Sequence, residues 1–254
     1  MKIAVLGVIP ARYASSRLPG KPLAMIAGKP MIQHVYERAS QTKTLGKLVV
    51  ATDDERILKT VLSFGGQAKM TRPNHPSGSD RVAEVAEHEN YDIVVNIQGD
   101  EPFLSPNAID TAVEKLLSTP DAVASTLVAV FPDVATLQSP NTAKVVLARD
   151  DFAIYFSRAP IPYNRDQQEI FDRNLREGYY QHVGLYAYRS DFLQEFVNLP
   201  VCDIERVEKL EQLRILKYGY KIVCARVNEH SFCVDTPEDL QKAQFLAKEY
   251  AFGV

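Results

Sequence analysis

Apolar residues fall in short runs bounded by turn formers: Ile3 to Ile9, Leu48 to Ala51, Ile93 to Ile97, Val123 to Val130, Lys144 to Leu147, Ala153 to Phe156, Val183 to Tyr188 and Ile222 to Ala225. Runs this short predict strands, many of them buried on both faces. Between the early ones, helical spacing of apolar residues covers Met31 to Ala39, Asp54 to Phe64, Ser79 to His88 and Ala108 to Leu117. Alternating strands and helices predict an open α/β sheet that is mostly parallel. After residue 120 the alternation lapses, and strand-like runs follow with little helix until Asp203 to Tyr218. Antiparallel strands are therefore expected there, making the sheet mixed. Residues 158 to 181 hold Pro160, Pro162, Asn164 and many charges. They predict a long excursion from the sheet, of the sort that serves function or an interface. No low-complexity linker and no repeat divides the chain, so one domain over 1–254 with an insertion around 150–190 is expected.

Composition narrows the classes. A chain of 254 residues, 46% hydrophobic, can bury a full core. A formal charge of -3 and a pI near 6.0 argue against coating nucleic acid. Cys202, Cys224 and Cys233 share no CxxC spacing and are too few for a disulfide scaffold, which suits a reducing compartment. The first apolar run is interrupted at Arg12 and reads as a buried strand rather than a signal peptide. No run approaches the ~18 to 20 residues that span a bilayer. A cytoplasmic protein without integral membrane association is expected.

Charge is uneven despite the balanced total. No Asp or Glu precedes Glu37, so Lys2, Arg12, Arg17, Lys21 and Lys29 have no local counter-acid. Arg12, Arg17 and Lys21 lie in the loop that leaves the first strand, which Pro10, Pro19, Gly20 and Pro22 can shape. Ligands of open α/β sheets bind at such strand exits, and cationic side chains there donate to phosphate oxygens. A merely solvated loop is the plainer alternative, and the missing carboxylates weigh against it. Ser15 and Leu23 stand where a Walker A loop needs its first Gly, and Pro follows each GlyLys, so this is not a P-loop. No GxGxxG follows the first strand.

Two later segments offer carboxylates. The strand Ile93 to Ile97 exits through Gln98-Gly99-Asp100-Glu101-Pro102, where Asp100 is placed to hold a hard divalent cation and Glu101 reads as turn or surface. In Asp235-Thr236-Pro237-Glu238-Asp239, Thr236 suits an N-cap, Pro237 the first helical position and Asp239 the third, which leaves Asp235 unassigned. Asp100 and Asp235 can together complete a magnesium site with substrate phosphates, although sequence alone does not bring them together. Asp53-Asp54-Glu55 is explained by helix capping and the helix dipole. Ser77-Gly78-Ser79-Asp80-Arg81 is partly a cap, with Gly78 and Arg81 free to line a ligand. His34, His75, His88, His182 and His230 have no zinc-like spacing.

In these segments the chain resembles the 3-deoxy-manno-octulosonate (Kdo) cytidylyltransferases. The resemblance runs through residues 9 to 23 (Ile-Pro-Ala-Arg-Tyr-Ala-Ser-Ser-Arg-Leu-Pro-Gly-Lys-Pro-Leu), Val50 to Asp54, Met70-Thr71, Ser77-Gly78 and Asn96 to Pro102. It continues through Ala153 to Arg158, His182 to Tyr188, Leu210 to Arg214 and Val234 to Asp239, covering nearly the whole chain. It implies a nucleotide-diphospho-sugar transferase fold, Rossmann-like, a homodimer, a magnesium requirement, and transfer of CMP from CTP to Kdo with release of pyrophosphate, for lipopolysaccharide synthesis. By position it implies Arg12, Arg17 and Lys21 on the triphosphate and Asp100 and Asp235 on magnesium. It further implies Pro10, Ala11, Ser15, Ser77, Gly78, Arg81 and Gln98 around the nucleotide, and Arg158, His182, Tyr186, Glu211 and Gln212 around the sugar. Read without the resemblance, Tyr186 is strand packing and Glu211 is an i,i+3 partner of Arg214. Two positions depart from the pattern: Asp80 stands where Glu is frequent, and Cys233 where Gly is common. Rival readings are a cytidylyltransferase for another acidic sugar (8-amino-Kdo or a sialic acid), a glycosyltransferase, which the lack of Asp-x-Asp disfavours, and a non-catalytic nucleotide-binding protein.

Overall fold

The computed structural model describes residues 3–15, 17–87, 89–165, 178–228 and 232–252, with backbone only for 249–252. Lys2, His88, His230 and the middle of the expected excursion lie outside the described residues. The chain forms two compact units, Met1–Asp110 with Ser231–Val254, and Thr111–His230, where the sequence predicts one domain with an insertion around 150–190.

The first unit begins with β1 (Val5–Ala11), a small hairpin of β2 (Met25–Ile26) and β3 (Lys29–Pro30), α1 (Met31–Ala39) and β4 (Lys47–Thr52). It continues through α2 (Glu55–Ser63), β5 (Ala68–Met70), α3 (Gly78–Ala86), β6 (Ile93–Asn96) and α4 (Pro106–Leu117), which runs past the unit boundary. The sheet order is β6-β1-β4-β5, all parallel. Leu6, Val8 and Ile9 of β1 and Val94 and Val95 of β6 are fully enclosed, as expected of strands covered on both faces. Helix starts follow local chemistry. Asp54 accepts from the Arg56 amide at the head of α2. Ser77 and Asp80 form a reciprocal capping box on α3, so this helix begins one residue before the predicted Ser79. Glu101 is buried, not a surface residue.

The second unit contains β7 (Ala124–Val130), α5 (Val134–Gln138), β8 (Lys144–Leu147), β9 (Ala153–Ser157), β10 (Tyr180–Arg189), α6 (Ser190–Asn198), α7 (Asp203–Glu208), α8 (Gln212–Lys217) and β11 (Ile222–Arg226). β11 runs parallel to β7, whereas β10 is antiparallel to β7 and β8, and β8 to β9. The predicted helix over Asp203 to Tyr218 is two helices. Lys209 takes a left-handed conformation with φ 54 and stops the first, a break with no Gly or Pro to announce it. Arg214 reaches back across that break to Glu205 with Nε and Nη2, at 2.9 and 2.8 Å.

Lys144 is fully buried and donates its ammonium to the carbonyls of Ser139, Thr142 and Arg158. Burial, then the nearby Arg158 guanidinium, pushes it down to about 8.

The chain returns to the first unit with α9 (Pro237–Phe252). Ala243 and Ala247 of α9 pack with Ile26, Met31 and Val234, and Phe103, Phe232 and Leu240 lean on that cluster. Thr236 and Asp239 cap α9 reciprocally, as the sequence predicts. Among the described residues no helix is long and apolar enough to cross a membrane.

Candidate active site

In the first unit, the exits of β1 and β6 and the head of α9 converge. Gly20, with φ +69, lets the basic loop turn back on itself: its amide donates to the Tyr13 carbonyl at 3.0 Å. A Cβ there would meet the Tyr13 ring at 3.0 Å. The Arg56 guanidinium stacks over that same ring, 3.4 Å from its centroid, so the loop is anchored to α2. Gly99 permits the β6 exit to lie against β1, since a Cβ there would stand 2.9 Å from the Pro10 carbonyl oxygen. The Val234 amide donates to the Asp100 carbonyl at 2.9 Å, which docks the Asp235 segment beside the Asp100 segment.

The result is a cavity of about 440 Å³ lined by Pro10, Ala11, Arg12, Ser15, Arg17, Lys21, Ser77, Gly78, Arg81, Gln98, Asp100 and Asp235. Those twelve include every first-unit residue that the sequence assigns to nucleotide or metal. Pro22, His75, Pro76 and Gly99 also line it. His75 was not anticipated, and its position just ahead of the Ser77 cap was the available signal. Its Nε2 hydrogen-bonds the Glu84 carboxylate on α3.

At the centre, Lys21 Nζ lies 2.6 Å from Asp100 Oδ2 and 2.9 Å from Asp235 Oδ1, and Arg17 Nη2 lies 3.0 Å from Asp235 Oδ2. Lys21, which lacks a counter-acid in the local sequence, finds two of them 79 and 214 residues away. Lys29 is separate, turned outward to Glu37. Desolvation works against the Lys21 ammonium, but Asp100 and Asp235 outweigh it and raise its pKa. Desolvation likewise opposes the Asp235 carboxylate, yet Lys21 and Arg17 hold it below the usual range. Desolvation, then the neighbouring carboxylates, push the Cys233 thiol well up.

Two converging carboxylates beside cationic side chains suit a hard cation such as magnesium, which takes one or two carboxylates plus substrate phosphates. The ammonium of Lys21 shows that positive charge is accepted between them. The donor set therefore fits the group. Arg81 is 4% exposed and spans Thr71 Oγ1 and the Asp53 carboxylate. Asp54 acts as the predicted cap, while Asp53 serves as the counter-ion of a buried arginine.

The residues that the resemblance assigns to the sugar lie in the second unit. His182 and Tyr186 are four apart on β10, a spacing of ~13 Å along a regular strand. Their ring centroids are nevertheless 5.4 Å apart, because the register with β7 shifts between Val183 and Tyr186. Thr126 holds this irregularity, its hydroxyl lying 2.8 Å from the Leu185 carbonyl and 2.9 Å from His182 Nε2. Tyr186 stacks on Tyr188, and its burial pushes the phenol well up. Glu211 stands at the head of α8, with Gln212 buried behind it. In the folded chain Arg158 donates with Nε, Nη1 and Nη2 to the carbonyls of Glu208, Pro140 and Lys209.

Burial pushes His182 down to about 3, against an ordinary 6.5. The unfolded chain then binds the extra proton first, so this contribution to stability is complete above 6.5 and is lost as pH falls toward 3. Urea unfolding at pH 5 should show roughly 1–2 kcal/mol less from this group than at pH 7. His182→Asn should flatten that slope; an unchanged slope would show that the imidazole is solvated.

Removing the Thr126 hydroxyl tests the bulge. Thr126→Val should cost about 1–2 kcal/mol in urea unfolding, since it strips partners from the His182 ring and the Leu185 carbonyl. A neutral substitution would mean that the strand pairing alone sets the bulge.

The cytidylyltransferase family matches this sequence over residues 6–222. The 3-deoxy-manno-octulosonate cytidylyltransferase of Solibacter usitatus is 50% identical over 244 residues, covering 96% of this chain and 94% of that protein. The protein of the same name from Pelobacter propionicus is 48% identical, covering 94% and 96%. Among solved structures, CMP:2-keto-3-deoxy-manno-octonic acid synthetase complexed with CTP superposes with a TM-score of 0.90 at 44% identity, over 97% of this chain and 99% of that one. A putative glucose-1-phosphate thymidylyltransferase from Bacillus anthracis shares the fold at 18% identity, with a TM-score of 0.68.

Proposed function

The chain belongs to the cytidylyltransferase family, and from that premise we propose that it transfers CMP from CTP to the anomeric hydroxyl of Kdo, giving CMP-Kdo and pyrophosphate. Lys21 held between Asp100 and Asp235, in a cavity flanked by Arg12 and Arg17, is the observation that carries this reading. Phosphoryl and nucleotidyl transfer depend chiefly on positioning and on neutralising charge. Arg12, Arg17 and Lys21 hold the triphosphate oxygens, and the two last offset the charge that builds on departing pyrophosphate. Pro10, Ala11, Ser15, Ser77, Gly78, Arg81 and Gln98 enclose the nucleotide and fix the α-phosphorus for in-line attack. Asp100 and Asp235 would hold magnesium, which would supply Lewis-acid neutralisation of the developing negative charge.

The acceptor is proposed to meet Arg158, His182, Tyr186, Glu211 and Gln212. His182 stands neutral at pH 7, so it serves as a hydrogen-bonding group rather than a cation for the sugar carboxylate. A homodimer and a cytoplasmic role in supplying lipopolysaccharide synthesis are parts of the same proposal and rest on the sequence resemblance.

Pyrophosphate release from CTP, magnesium and Kdo tests the reading, set beside UTP, sialic acid and 8-amino-Kdo. Release should depend on CTP and Kdo together. Equal rates with UTP would overturn the nucleotide assignment, and faster release with sialic acid or 8-amino-Kdo would reassign the sugar.

A further inference from the structure

The carboxylate pair of this chain has a sulfur beside it. Cys233 Sγ and one carboxylate oxygen from each of Asp100 and Asp235 all lie within 4.8 Å of one another. Two donors of a tetrahedral zinc-sized ion stand ~3.7 Å apart, given a metal–sulfur bond of ~2.3 Å and a metal–oxygen bond of ~2.2 Å. Closing these three atoms around one cation therefore requires shifts of about an ångström, within reach of side-chain rotation.

The backbone that carries them is held in place. Val234 is fully buried in the cluster that anchors α9, and its amide donates to the Asp100 carbonyl, so Cys233 and Asp235 flank a pinned residue. Positive charge is already accepted at this point, because the Lys21 ammonium lies on both carboxylates. Cys233 is exposed as a residue, which leaves solvent a route to it, whereas Cys202 and Cys224 are buried in the second unit.

We infer that this centre also takes a thiophilic divalent cation of the zinc or cadmium class, with Cys233 as a thiolate ligand beside Asp100 and Asp235. The inference rests on the reading of those two carboxylates as metal ligands and extends it to a second class of ion. Magnesium bonds oxygen and gains nothing from the sulfur, while soft and borderline ions gain most from thiolate. Binding exchanges the S–H proton for the metal–sulfur bond, the proton passes to solvent, and no electron is transferred. Three protein donors leave a fourth position of a tetrahedral ion for water or a phosphate oxygen. Such an ion competes directly with magnesium for the centre.

Cadmium chloride titrated into the full chain, kept reduced with a phosphine, reads this through the ultraviolet sulfur-to-cadmium charge-transfer band. The band should saturate at one cadmium per chain and vanish in Cys233→Ser. Its midpoint should rise about tenfold or more in Asp235→Asn, the scale on which lost support weakens a metal site. No band, a band that survives Cys233→Ser, or a midpoint indifferent to Asp235→Asn would each overturn the inference. Magnesium-dependent pyrophosphate release by the untreated chain is measured separately. Release without a band defeats the thiolate site alone, and a band in a chain inert with CTP, Kdo and magnesium defeats the proposed reaction while leaving the site.

Discussion

Asp100→Asn is expected to slow pyrophosphate release from CTP and Kdo by about a hundred- to a thousandfold, the range seen when one preorganised electrostatic contact to a transition state is lost. Asn keeps the shape of the side chain but removes its negative charge. The Val234 amide still finds the Asp100 carbonyl, because that bond is made by backbone, so the loop should keep its place. The loss should therefore appear in turnover rather than in folding. Steady-state rates across a magnesium series, with urea unfolding as the control, check this. Near-normal turnover at limiting magnesium would remove Asp100 from the metal centre.

Arg81→Met is expected to destabilise the chain by about 3–5 kcal/mol, the cost of breaking a buried ion pair from one side. The methionine replaces most of the apolar stem, but it leaves the Asp53 carboxylate facing a partner that no longer exists. Thr71 also loses its bond to Nη1, and Thr71 is itself tied to the Thr52 carbonyl at the end of β4. Urea unfolding of Arg81→Met, Asp53→Asn and the double variant forms a cycle. The double variant should recover part of the loss, since neither side then holds an unpaired charge. A loss below ~1 kcal/mol would place the pair with ordinary solvated surface bridges. The same variant should raise the KM for CTP, because Arg81 lines the cavity and sits on α3 just past Ser77 and Gly78.

What the sequence made legible is what short-range physics decides. The Thr236, Pro237 and Asp239 cap, the Asp54 cap and the Ser77 and Asp80 box each act within four residues, so their spacing is their signal. Strand positions were likewise readable to within one to three residues, because burial on both faces leaves unbroken apolar runs. The strand exits, and with them the first-unit cavity, followed from that. Long-range pairing was not legible: nothing near Arg214 shows that it will reach Glu205 across the break, and nothing near Glu101 shows that it will be buried. The split at Lys209 had no glycine to announce it. Nothing near Arg158 shows that its guanidinium will meet the carbonyls of Glu208, Pro140 and Lys209. α6 starts behind Arg189, which makes no side-chain cap, so no local capping signal marks its head.

Lys21 gives the proposed centre an order of events. In the folded chain this ammonium already neutralises both carboxylates, so a cation arriving alone must expel it from two short contacts. A triphosphate changes that balance by giving the same ammonium a new anion and the incoming ion new oxygens. Nucleotide and metal are then thermodynamically coupled, each tightening the other by one and the same factor. The lysine works as an internal placeholder, raising the metal concentration that the acidic pair needs until the substrate that needs the metal has arrived.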